Sequence, residues 1–136
     1  MSENLEFFCE TVTRILADTL DQATIEACEQ RRFPQAMFDT LEENGIFLLL
    51  VPEAQGGVGG DAGDAAAVLR AAGAAAAPGP LLETMLANAL LARAGADVMP
   101  GSFALTFADS IEGPLHDVPW GALAQRLMIV TPAGDA

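Results

Sequence analysis

Gly45-Ile46-Phe47-Leu48-Leu49-Leu50-Val51-Pro52-Glu53-Ala54-Gln55-Gly56-Gly57-Val58-Gly59-Gly60 is the stretch on which the fold turns. An apolar run closed by proline and followed by a glycine-rich turn is a specific piece of chain geometry. Proline cannot donate to a backbone ladder, and glycine reaches conformations and close approaches denied to other residues. Ile46 to Val51 reads as a short buried strand or extended crossing. Gly45, immediately before it, reads as the stop of a preceding helix. Asp61, with Asp64 three residues on, places acid at the start of a helix after the turn, where the helix dipole favours it.

Upstream of that stretch, Leu5, Phe8, Val12, Ile15, Leu16 and Thr19 fall on one helical stripe, with Glu6, Glu10, Arg14 and Asp18 turned away. Asp21 is placed to cap a second, shorter helix to about Gln30, in which Ile25 and Cys28 share a face. Pro34 suits the first turn of a third, which carries Met37, Phe38 and Leu41 inward. Downstream, the helix that opens at Asp61 is rich in alanine, with Gly73 inside it, so neighbouring helices can approach closely. Pro78-Gly79-Pro80 is expected to end it. A fifth helix is expected from about Leu81 to Ala94, with Leu82, Met85, Leu86, Ala89 and Leu90 on its apolar side, ending at Gly95. The expected core includes Phe8, Val12, Phe38, Leu41, Leu69, Leu86 and Leu90.

After Gly101 the periodicity changes. Ser102 to Ala108 and Arg126 to Thr131 read as strands, separated by a loop of prolines, acids and the single histidine. The fold class is therefore mainly α: a bundle of about five helices over residues 1–100, followed over 101–136 by the first strands of a β-domain. Two strands are marginal by themselves, so this second part is expected to need further strands or a partner.

The chain has 136 residues, 51% of them hydrophobic, which is enough for one core. Its formal net charge of -13 comes from 19 acidic residues against six arginines, with no lysine. Phosphate neutralisation needs basic clusters, so nucleic acid is not expected as a partner. Cys9 and Cys28 are too few and too isolated for a disulfide framework or a zinc site. Reduced thiols and a cytoplasmic location are the default reading. Met1-Ser2-Glu3-Asn4 carries no basic leader region, and no apolar stretch approaches the ~20 residues of a membrane helix.

Gly57-Val58-Gly59-Gly60-Asp61-Ala62 satisfies the form G-x-G-x-x-A of a dinucleotide fingerprint. The context does not fit: Pro52 to Gln55 separate it from the apolar run, Asp61 and Asp64 would repel phosphates, and no second parallel strand follows the helix. It reads as a structural turn. His116, within Pro114-Leu115-His116-Asp117-Val118-Pro119, has no orienting partner and reads as an exposed loop residue. Glu42, Glu43 and Glu53 are carboxylates that nothing pairs for acid-base work. Leu82, Met85 and Leu86 have the spacing of a core face and the residue types of a ligand-lining wall. Trp120, beside Pro119, is placed to anchor the loop on the core.

The chain resembles the N-terminal part of the flavin-dependent acyl-CoA dehydrogenases. The resemblance rests on a helix ending in Gly45, the Val51-Pro52-Glu53 step, the glycine turn and the Pro80-Leu81-Leu82-Glu83-Thr84 helix start. It implies a helical first domain over about residues 1–100 that helps wall the acyl cavity, with Leu82, Met85 and Leu86 as substrate-side candidates. It further implies that residues 101–136 begin the family's middle β-domain and that the chain is the front part of such an enzyme. Phe103-Ala104-Leu105-Thr106 matches the family's flavin-contacting strand, aromatic-x-apolar-Thr, which makes Phe103, Leu105 and Thr106 candidates for binding FAD. Phe107-Ala108 stands where the family has Glu-Pro, and no Gly-Ser-Asp follows. Val118-Pro119-Trp120 and Ala124 to Val130 resemble a later step and strand of the same domain.

The family's flavin lies between that domain and a C-terminal helical bundle, which also supplies the glutamate base. The implied function is oxidoreductase chemistry, α,β-dehydrogenation of an acyl-CoA thioester. No residue of this chain is assigned a catalytic or metal-binding role. The implied partners are acyl-CoA and the remaining domains or a partner subunit, in a homo- or hetero-oligomer. The alternative is a non-catalytic helical subunit or interaction module that kept the fold and lost the flavin site.

Overall fold

The computed structural model describes residues 3–132. The residues read above for a leader at positions 1 and 2, and the last four positions, lie outside the described residues. Five α-helices are followed by two strands: α1 (Glu3–Thr19), α2 (Gln22–Glu29), α3 (Gln35–Glu43), α4 (Ala62–Ala74), α5 (Leu81–Arg93), β1 (Phe103–Phe107) and β2 (Arg126–Val130). The mainly helical class and the order of elements agree with the sequence.

The core forms where the apolar stripes of α1, α3, α4 and α5 meet. Phe8, Val12, Ile15 and Leu16 of α1 are buried, as are Met37, Phe38 and Leu41 of α3. Phe38 stacks on Phe47 with ring centroids 4.3 Å apart. α1 packs most extensively on α4, whose buried positions, Ala65, Val68 and Ala72, are small enough to bring the two helices together. Gly73 plays no part in that approach: it is exposed, and a Cβ built on it would meet nothing within 4 Å. α2 buries no residue; Ile25 is exposed and Cys28 half-buried.

Two helix starts follow the acids read from the sequence. Asp21 accepts the Thr24 N–H at 2.8 Å and caps α2. Asp61 and Asp64 form a reciprocal capping box at α4, each carboxylate accepting the other's backbone N–H at 2.9 Å. The end of α4 differs from expectation. It stops at Ala74, ahead of Pro78-Gly79-Pro80, because Ala76 turns left-handed (φ 50°). The Ala76 and Ala77 N–H groups then close on the carbonyls of Gly73 and Ala72, satisfying the helix end without glycine.

Ile46 to Val51 is not a strand. Ile46–Leu48 is a 3₁₀ turn, entered through Gly45 at φ 75°, and the Leu48, Leu49 and Val51 N–H groups bond three residues back. The run is buried at Ile46, Phe47, Leu49 and Val51, so apolarity alone did not separate a strand from a tight turn. The glycine turn then folds back over it. Val58, Gly59 and Gly60 donate to the carbonyls of Leu48, Val51 and Leu49 at 3.1, 2.8 and 2.8 Å. Those bonds replace the ladder a strand would have had.

α5 is rotated from its expected orientation. Leu81, Thr84, Met85, Ala87, Asn88 and Ala92 are buried, whereas Leu90 is 38% exposed. Leu86 and Leu69 are half-buried rather than core residues. Almost every side of α5 is apolar, so its pattern has no dominant direction. Two polar residues, Thr84 and Asn88, decide which side faces inward, because their partners lie there.

β1 and β2 pair in parallel, with Phe103 opposite Arg126 and Phe107 opposite Val130. The connection between them contains no helix or strand. Trp120 anchors it, its ring edge-on to Phe33 with centroids 6.2 Å apart.

Candidate functional site

The site begins with the glycine turn, which sets α5 in place. Gln55 donates its side-chain amide to the Ala92 carbonyl at 2.8 Å, tying the turn after Pro52 to the C-terminal end of α5. α5 also packs on the Ile46–Leu48 turn and on β1. With Thr84 and Asn88 inward, positions 82, 86 and 90 share the opposite side of the helix. That side is an outward leucine face: Leu82 is 42% exposed, and Leu86, half-buried, stands between it and Leu90. Of the three substrate-side candidates, Leu82 and Leu86 lie on this face. Met85 is fully buried on the other side, in the core.

β1 leaves the same helix. The Phe103 N–H donates to the buried Thr84 hydroxyl at 3.1 Å, and Thr84 itself donates to the Pro80 carbonyl at 2.6 Å. Phe103 is enclosed, at 4% exposure, and Leu105 and Thr106 are half-buried. Side chains alternate along a strand, so Phe103 and Leu105 share one face of β1 and Thr106 lies on the other. The Thr106 hydroxyl has no hydrogen-bond partner among the described residues. Phe107, at the end of β1, is 75% exposed, and Ile111 and Leu127 are exposed as well.

A flavin carries a polar ring edge and a pyrophosphate. Against these the three cofactor candidates offer one hydroxyl, from Thr106, and the apolar side chain of Leu105; the Phe103 ring is enclosed and its N–H is committed to Thr84. Leu105 and Thr106 lie on opposite faces of β1, so a flavin against either face would meet one of the two side chains, and the residues present do not make up a whole flavin site. Among the described residues no group of three His, Cys, Asp or Glu side chains could hold a metal ion, and no helix is long and apolar enough to cross a membrane.

Glu42 half-buries its side chain and accepts the Gly101 N–H at 2.7 Å; Glu43, Glu53 and His116 are exposed. With Phe47, Leu48, Asn88 and residues 98–100, Glu42 lines a cleft of about 200 Å³ between α3 and α5. Sequence reasoning does not single out Asn88, reads Glu42 only as an unpaired carboxylate and Thr84 only as part of a helix start, and misses their common role as acceptors of backbone N–H groups. The available signal was Thr84 and Asn88 themselves, two uncharged polar residues one turn apart in a helix whose other polar residues, Glu83 and Arg93, are charged.

Five helices, with a Val-Pro-Glu glycine turn tied to α5, followed by a parallel pair of strands, define a mainly helical fold. The chain belongs to the acyl-CoA dehydrogenase family: the model of the acyl-CoA dehydrogenase N-terminal domain matches residues 2–99. It is 37% identical over 99 residues to acyl-CoA dehydrogenase IpdE2 of Mycobacterium tuberculosis, covering 70% of this chain and 31% of that protein. It is 35% identical over 98 residues to the protein of the same name from Mycolicibacterium smegmatis, covering 70% of this chain and 32% of the relative. The chain thus spans about a third of the length of these relatives. No solved structure matches it.

Proposed function

We propose that this chain is the N-terminal region of an FAD-dependent acyl-CoA dehydrogenase, with a helical domain to about residue 100 and the start of the middle β-domain beyond it. Its part in α,β-dehydrogenation is to wall the acyl group and to supply contacts to the other domains or to a partner subunit in a homo- or hetero-oligomer. The cytoplasm is the proposed location.

The observation that carries this reading is the outward leucine face of α5, left partly open although the helix is packed on its other sides. An exposed apolar strip on a packed helix marks a surface that something else covers. An acyl chain fits its chemistry. Leu82 and Leu86 are the wall; Met85 supports it from the core. FAD, when bound in the complete protein, would supply the acceptor for the β-hydride. Thr106 would hold one side of the flavin, its hydroxyl donating or accepting one hydrogen bond, while Leu105 is turned to the opposite face of β1. The base that removes the α-proton is assigned to no residue of this chain.

The test uses the complete protein that carries this chain, purified with FAD, and a dye acceptor. Leu86→Asp puts a charge on the proposed wall, so it should raise KM for acyl-CoA substrates by about tenfold or more, since an unpaired charge is strongly disfavoured on apolar surface. Flavin content should stay at the wild-type level. An unchanged KM removes α5 from the pocket. A wild-type protein that holds no FAD and oxidises no acyl-CoA is instead the non-catalytic module.

A further inference from the structure

Residues 99 to 103 carry a regular pattern that the family resemblance does not address. Three alternate backbone N–H groups are each taken by a side chain from the helices. Met99 donates to the Asn88 amide oxygen at 3.2 Å, Gly101 to the Glu42 carboxylate at 2.7 Å, and Phe103 to the Thr84 hydroxyl at 3.1 Å. The segment bends at Gly101, whose φ is 96°, so no continuous strand could pair with it, and each of the three N–H groups is met individually by a side chain of α3 or α5.

The other edge of the segment is held separately. Arg126 donates its N–H to the Ser102 carbonyl at 3.0 Å and its side-chain Nε to the Pro100 carbonyl at 2.9 Å. Gln125 donates its N–H to the Ser102 hydroxyl at 3.0 Å, and Ser102 returns its own N–H to the Gln125 amide oxygen at 3.3 Å. Beyond Phe103 the same side of the chain continues to β2, with the Ala108 N–H on the Val130 carbonyl. The segment is thus fixed on both edges, by α3 and α5 on one and by the approach to β2 on the other. Thr84 and Asn88 are almost fully buried, and Thr84 both donates and accepts, so its bonds do not exchange freely with water.

We infer that Glu42, Thr84 and Asn88 are positioning residues: they set the register at which β1 leaves α5, and so fix Leu105 and Thr106 relative to the outward leucine face of that helix. The inference rests on the reading of that face as the acyl wall and of β1 as the flavin-side strand. The clamp joins the two surfaces between which the acyl group and the flavin would have to be aligned. Dehydrogenation needs the acyl carbons held at one distance and angle to the hydride acceptor, and a small misplacement is costly in rate rather than in binding. Rate is where the clamp acts.

The experiment uses the complete FAD-loaded protein with Thr84→Val and Glu42→Met, which remove an acceptor, against Thr84→Ser and Glu42→Gln, which keep one. Glu42 is half-buried, so the Glu42 pair remains readable if Thr84→Val fails to fold. Hydrogen exchange of residues 99–107 should speed up by about tenfold in the first pair and stay within about twofold of wild type in the second, since local opening follows the lost acceptor. kcat should fall by about tenfold, with KM changed by less than about threefold, and the conservative variants should restore it. Faster exchange with an unchanged kcat overturns the positioning role. Unchanged exchange overturns the clamp itself. Wild-type flavin absorbance is measured first, so a protein without FAD removes the underlying dehydrogenase reading, and the positioning role with it, and is not mistaken for a failed clamp.

Discussion

Replacing Gly57 by alanine should be among the most damaging single changes available in this chain. A Cβ there would sit 2.1 Å from the Val51 carbonyl oxygen, 2.4 Å from the Val51 Cβ and 2.5 Å from its carbonyl carbon. Non-bonded carbons are at their optimum at about 3.5–4.0 Å, so the overlap is about 1 Å or more, and two of the three contacts are with backbone. Backbone cannot rotate away as a side-chain tip can. Relief requires lifting the turn, yet the Val51 carbonyl is also the acceptor of the Gly59 N–H, and Val58 and Gly60 bond to the same buried run. Overpacking costs about 1–3 kcal/mol, and two weakened backbone bonds add about 1 kcal/mol each. The expected loss is therefore about 3–5 kcal/mol, a large part of the 5–15 kcal/mol typical of a domain. Urea unfolding followed by far-ultraviolet circular dichroism should show the midpoint falling by about 2 M, for a slope near 1.5–2 kcal/mol/M. Gly73→Ala is the control: it lies inside α4 with open space around it and should gain about 0.5–1 kcal/mol. If Gly57→Ala unfolds within about 1 kcal/mol of wild type while Gly73→Ala behaves as expected, the close approach of the turn to Val51 is wrong.

Met85→Ala removes a fully buried side chain and should cost about 2–5 kcal/mol, whereas Leu90→Ala on the outward face should cost less than about 1 kcal/mol; the reverse order in urea melts would restore the unrotated α5. Ala76→Gly relieves a left-handed alanine and should stabilise by about 1 kcal/mol, read from the same melts, with no gain counting against the cap described at the end of α4. The hydrogen bonds from the Thr24 side chain and then from its backbone hold the Asp21 carboxyl below its ordinary value of 3.8. The folded value is the lower one, so this cap's contribution is fully present above the ordinary aspartate range and is lost as pH falls through the depressed value; an Asp21 carboxyl titration by NMR with a midpoint at or above 3.8 would contradict it. Burial raises the Cys28 thiol pKa, so at pH 8 its alkylation by iodoacetamide should be slower than that of a free cysteine peptide, and equal rates would refute the burial.

Much of the architecture was legible because it rests on local signals. Asp21 and Asp61 cap the helices they precede, with Asp64 closing the capping box from inside α4, the α1 stripe is a clean amphipathic pattern, and both strands fall within a residue of their expected bounds. The failures share a cause: apolar composition without direction. Ile46 to Val51 is apolar throughout, so no period separated strand from turn, and the bonds from Val58, Gly59 and Gly60 decided it from outside the segment. α5 is apolar on nearly every side, so its inward face was set by Thr84 and Asn88 reaching residues up to 19 positions away. At the candidate site, Leu82, Leu86, Leu105 and Thr106 could be named from the resemblance. Met85 reads from the sequence both as core and as wall, and its burial agrees with the core reading; the burial of Phe103 could not be read, because it follows from the bond to Thr84.

Parallel pairing of β1 and β2 also orders events in time. Between Phe107 and Arg126 the chain must travel back the length of a strand through a connection without helix or strand, and no rung of the ladder can form until that loop has closed. The helices need no such return, since neighbouring turns supply their bonds. The first N–H of β1 finds its acceptor on α5, so the helix must already be seated before the strand has anywhere to dock. During refolding, the helical circular dichroism should therefore recover ahead of protection at the amides of residues 103–107. A newly made chain would pass through a state in which the bundle is complete and both strands are still loose.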